Sequence, residues 1–85
     1  MDITGGSIVL STAGRDSDRL FAVVGIVDDD YVLISDGRVR RLESPKKKKL
    51  KHLKFISQSE EIAQKISDGK LTNNILKKEL SVIMY

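Results

Sequence analysis

The chain has 85 residues, no cysteine, one proline and a net charge of +3 from 15 basic and 12 acidic side chains. That length allows one domain near the lower limit of what folds alone. The missing thiols exclude both a disulfide framework and a thiolate metal site, and with no Trp and four other aromatics the core must be largely aliphatic.

Ser7–Ser11, preceded by Gly5-Gly6, is predicted to be a short strand. The small and polar cluster around Gly14 reads as a loop. Leu20–Val27 (LFAVVGIV) is a continuous apolar run rich in β-branched residues. It is too short for an ordinary helix and fits a strand covered on both faces. Gly25 within it predicts a bend or bulge. The same run is far shorter than the roughly 20 residues of a spanning helix. The opening MDITGG lacks a basic-then-apolar signal, so a cytoplasmic location is expected.

Asp28-Asp29-Asp30 interrupts the apolar signal and Tyr31–Ile34 resumes it, which reads as a β-hairpin. Asp36-Gly37 predicts a type I′ turn leading into a third strand, Arg38–Leu42, with its cations facing solvent. Ser44-Pro45 is expected to break the ladder. Leu53 and Phe55, alternating with cations, predict one more short strand closing a barrel. From Ser57 the period becomes helical. Ser57-x-x-Glu60 has the form of a capping box, Ile62 and Ile66 share a face, and Asp68-Gly69 supplies a stop. Thr72 is placed to cap a second helix, with Leu71 and Leu76 forming a staple and Leu76, Leu80 and Ile83 an apolar stripe widened by Ile75 and Val82. Packing against the sheet is the ordinary use of such a stripe.

Charge is segregated. Residues 1–35 carry Arg15 and Arg19 against six acids, residues 36–54 carry nine cations against Asp36 and Glu43, and residues 55–85 carry four of each sign. Segment charges are thus −4, +7 and 0, and a polyanion responds to the local value rather than the total. Catalysis has little to work with. His52 is the only imidazole, and it sits among Lys49, Lys51 and Lys54, where contact with a base or a phosphate fits better than general-base chemistry. The three aspartates lack the spaced ligands and glycine of a calcium loop. No phosphate-binding loop, dinucleotide fingerprint or metal-ligand spacing occurs. The expectation is a non-enzymatic chain with no cofactor and no metal.

GSIVLSTAGRDSDRLFAVVGI, followed by a hairpin and DGRVRRLESPKKKKLKHL, resembles the KOW-type domain, in particular small stand-alone KOW proteins similar to large-subunit ribosomal proteins. The resemblance covers roughly residues 5–54. It implies an SH3-like barrel that binds RNA, commonly ribosomal RNA, through the KOW loop and adjoining basic segments. Matching positions are Gly14, Arg15 and Asp16 in the loop, with Arg19 on the following strand; Gly14 would shape the loop. Many relatives carry Lys-Gly where this chain has Ser17-Asp18, which makes the loop less cationic and moves weight to Arg38–Lys54.

Together these readings predict a mostly-β chain: an SH3-like antiparallel barrel over residues 1–56, with a C-terminal helix or helical hairpin over residues 57–85 packed on it. RNA is the expected partner. Arg38, Arg40, Arg41 and Lys46, Lys47, Lys48 and Lys49 would form a single basic face extended by Lys51, His52, Lys54, Arg15 and Arg19, with Gly14, Asp16, Asp36 and Gly37 shaping its loops. The alternative is a protein-interaction module that docks an acidic partner of the transcription or translation machinery.

Overall fold

The structure, a computed structural model, describes residues 3–83. Strands β1 (Ser7–Ser11), β2 (Leu20–Ile26), β3 (Tyr31–Ser35), β4 (Lys46–Lys49) and β5 (Leu53–Gln58) precede helices α1 (Glu60–Asp68) and α2 (Asn73–Ser81), and a 3₁₀ turn, Leu50–His52, separates β4 from β5. The strands form one open antiparallel sheet in the order β4-β3-β2-β1-β5.

The two-sided strand expected at Leu20–Val27 is β2. Phe21 and Val23 join Val9, Val32 and Ile34 in a core on one face, with Leu50 and Leu53 packed against it. Ala22 joins Ile8, Ile62 and Leu76 in a second core on the other face, which the two helices cover. Alternation along one strand thus serves two hydrophobic layers. The register shift between Val23 and Gly25 leaves Val24 without a partner, which is the bulge Gly25 predicted. A second shift lies in the β1–β5 ladder.

β4 and β5 are the two edges of the sheet, yet only Leu50–His52 separates them. In a flat sheet those edges would lie about 19 Å apart, four strand spacings. A 3₁₀ link from Lys49 to Leu53 rises only about 8 Å. The sheet is therefore curled, with no ladder joining its edges. The turn is also tied down at both ends: the Leu50 N–H donates to the Asp30 carbonyl (2.8 Å) and the Thr12 N–H to the His52 carbonyl (2.9 Å).

Several expectations are corrected. Arg38–Leu42 is not a strand; the strand pairing with β3 is the tetralysine. The Asp36 carboxylate accepts the Arg38 and Arg40 N–H groups, both at 2.9 Å, through Oδ1. The Arg40 carbonyl takes the Asp36 and Gly37 N–H groups at 2.9 and 3.2 Å. The Asn73 Oδ1 accepts the Leu42 N–H at 2.8 Å. These bonds consume the groups a ladder would need. Nor is the turn type I′, because Gly37 has positive φ (77°) and Asp36 does not; it is an aspartate-capped loop. Pro45 immediately precedes β4, outside the ladder, a place where its missing N–H costs no strand hydrogen bond.

The helix cap also shifts. Ser57 is still paired with Ile8 in β5, and Ser59 Oγ accepts the Ile62 N–H at 3.1 Å. The change from strand to helix therefore falls after Gln58 rather than at Ile56, and the helices complete a core shared with the sheet. Gly69 ends α1 in the left-handed conformation and Thr72 caps α2 by accepting from Ile75, both as the sequence indicates. Leu71, Leu76, Leu80 and Ile83 pack into the second core, whereas Val82 is 68% exposed.

Candidate nucleic-acid interface

The antiparallel registers bring the loop after β1 and the loop after β3 to the same end of the sheet. Two ion pairs tie them reciprocally: Arg40 to Asp16 (3.2 Å) and Arg19 to Asp36 (3.5 Å). Both carboxylates are buried, 4% and 6% exposed. The loop-shaping roles of Asp16 and Asp36 therefore fit the geometry, and each also covers a guanidinium that the sequence reading offered to RNA. Gly14 (φ 81°) turns the first loop, its carbonyl accepting the N–H (3.2 Å) and the hydroxyl (2.7 Å) of Ser17. Gly37 lets the second loop lie against α2: a Cβ there would collide with the Asn73 carbonyl oxygen.

Arg41 bonds Glu43 at 3.1 Å, and Glu43 accepts the Asn73 side-chain amide at 2.6 Å. The Asn73 hydrogen bond first, and the Arg41 guanidinium second, hold the Glu43 carboxyl below its ordinary range. Of the three arginines expected on a basic strand, Arg40 and Arg41 are therefore held by carboxylates. Arg38 is exposed and, among the described residues, has no ion-pair partner. It lines a groove with Arg19, Leu20, Lys77 and Leu80.

β4 does not present its four lysines to one side. Lys46 and Lys48 stand opposite Ile34 and Val32, whose side chains enter the first core; Lys47 and Lys49 stand opposite Leu33 and Tyr31 on the other face. Lys48 is only 9% exposed, and its ammonium donates to the Ala13 carbonyl at 2.8 Å, binding β4 to the first loop. Lys47 and Lys49 lie over the Tyr31 ring, 4.7 and 5.8 Å from its centroid. The expected single face is thereby corrected to two: strand alternation divides the tetralysine, and folding uses Lys48.

Arg15, Arg38, Lys47, Lys51 and Lys54 are exposed, and Lys46, Lys49 and His52 are half-buried. None of these has a carboxylate within ion-pair distance among the described residues. The sequence reading missed Tyr31 beside β4, Lys77 beside Arg38, and Asn73 as the residue anchoring the second loop. Tyr31 was within reach of sequence reasoning had the lysine run been treated as a strand. Lys77 and Asn73 needed the helix packing.

Among the described residues, no group of three or more His, Cys, Asp or Glu side chains could hold a metal ion, and no helix is long and apolar enough to cross a membrane. No protein-family model and no curated protein matches this chain.

Proposed function

We propose that this chain is a non-enzymatic, cytoplasmic RNA-binding module of the KOW type on an SH3-like barrel, with structured RNA, ribosomal RNA above all, as its ligand. The barrel reading is supported by the strand order and by the three-residue 3₁₀ link that forces the sheet edges toward each other. The observation that carries the RNA reading is an ordered edge strand made of four lysines with no acid paired to any of them among the described residues.

Lys47 and Lys49 share a face, about 7 Å apart by strand geometry. Even in water their repulsion is about 0.6 kcal/mol. A scaffold that holds ammonium groups in this way gains when a polyanion approaches, and each phosphate neutralised releases a counterion. Arg38 and Arg15 at one end, with Lys51 and Lys54 around the 3₁₀ turn, extend the surface. Arg19, Arg40 and Arg41 contribute less than their number suggests, because Asp36, Asp16 and Glu43 already hold them.

Binding to ribosomal RNA and to duplex DNA of matched length, measured at two salt concentrations, tests the reading. RNA should bind more tightly, with affinity falling steeply as salt rises. Equal and millimolar affinities at low salt would defeat it. A second reading, docking of an acidic protein of the transcription or translation machinery, draws on β4 being a sheet edge. Recovery of an acidic partner that survives nuclease treatment, with no RNA recovered, would favour it.

A further inference from the structure

Resting on the RNA reading, we infer that Tyr31 is a stacking platform for one unpaired nucleotide, with Lys47, Lys49 and Lys51 receiving the adjoining phosphates. Tyr31 opens β3 and is half-buried directly opposite Lys49. Among the described residues it is the only aromatic ring with ammonium groups over it, at 4.7 and 5.8 Å. Phe21, by contrast, is wholly within the first core.

A cleft of about 480 Å³ lies beside the ring, lined by Asp30, Tyr31, Lys49, Leu50 and Lys51. This is within the size range of small-ligand sites. Leu50 and the ring supply apolar surface for a base, and the lysines supply mobile point charges. Asp30 is the one carboxylate of the cleft: it repels phosphate and can accept a base N–H, so the base lies toward Asp30 and the backbone toward the lysines. The lysines over Tyr31 also pack the β3–β4 ladder, but that role alone needs neither a cleft nor a third cation. Every base has a π-face, so such a site favours unpaired nucleotides without reading their sequence. It would direct a surface that otherwise meets phosphates toward loops, bulges and single strands.

The test uses the full chain, the single strand r(U)8 and a short RNA duplex. Tyr31→Phe should bind r(U)8 like the parent protein. Tyr31→Leu should lose roughly 5- to 150-fold on r(U)8, the usual range for one lost stack, with little change on the duplex. The chain has no Trp and only Tyr31 and Tyr85 as fluorophores of its kind. Saturating r(U)8 should therefore quench tyrosine emission in the parent, and Tyr31→Phe should abolish most of that quench, a readout that stands even if Tyr31→Leu does not fold. Unchanged r(U)8 affinity in a folded Tyr31→Leu, equal losses on both RNAs, or binding without quench would overturn the inference. A parent protein that binds the duplex but not r(U)8 overturns it while leaving the RNA reading intact. Binding of neither overturns both.

Discussion

Replacing Asp36 separates two roles that one carboxylate performs. Its Oδ1 accepts two backbone N–H groups, those of Arg38 and Arg40, and its Oδ2 faces Arg19. Asp36→Ala removes both roles and leaves two loop N–H groups without their acceptor beside a buried Ser35. Hydrogen bonds to a charged group contribute about 1.5–3 kcal/mol each, and partial recovery by water reduces the combined loss to about 2–4 kcal/mol. Against a typical domain stability of about 5–15 kcal/mol, that is a large fraction. Asp36→Asn keeps an oxygen for both N–H groups, now as weaker neutral hydrogen bonds, and loses the pairing with Arg19, whose side chain is 42% exposed. Solvent screening at such a site limits the ion-pair part of the cost to about 1 kcal/mol or less, so Asn should lose clearly less than Ala. Urea unfolding followed by circular dichroism measures both variants. Equal destabilisation by Asn and Ala would refute the view that backbone capture, rather than the ion pair, holds this loop. Freed from its carboxylate, Arg19 in Asp36→Asn should also strengthen RNA binding modestly at low salt.

Further outcomes follow from the same geometry. Lys48→Gln should lower the melting temperature while leaving the salt dependence of RNA binding nearly unchanged, because that ammonium serves the Ala13 carbonyl; a flattened salt slope would place Lys48 on the RNA instead. Gly37→Ala combines a positive φ with a collision on Asn73 and should cost about 2–4 kcal/mol. Gly69→Ala, at φ 69° with nothing within 4 Å, should cost only about 1 kcal/mol, and thermal melts giving equal losses would contradict the close approach. The folded-state pKa of Glu43 is lowered, so its contribution is present above the unfolded value of 4.5 and is lost as pH falls through the lower folded value. Melting temperature followed across that window should fall more steeply for the parent than for Glu43→Gln, and identical profiles would contradict the pairing.

Legibility in the sequence followed how local the deciding interaction was. β2 was readable because eight consecutive apolar residues admit few other placements in a small domain. Gly69 and Thr72 were readable because caps are decided within one helical turn. β4 was not: lysine is depleted in strands, and a run of one residue type has no period to detect. Its extended state comes from pairing with Val32 and Ile34 and from the buried Lys48 stem. Arg38–Leu42 misled through its partial alternation, since nothing local indicates that Asp36 and Asn73 will take its N–H groups. The cap expected at Ser57 moved to Ser59 because pairing of β5 with β1 keeps Ser57 in the strand. For the site, charge density was legible from composition. Its partial neutralisation was not, because Asp16 and Asp36 meet Arg40 and Arg19 only through the sheet register.

The most direct measurement is the dependence of ribosomal RNA affinity on salt for the parent protein and for the double variant Lys47→Gln, Lys49→Gln. If the outer face of β4 meets the RNA backbone, the slope of log affinity against log salt should be shallower by about 1.4–1.8, two phosphate contacts at roughly 0.7–0.9 each. A folded double variant with the parental slope would mean that these lysines only guard a sheet edge.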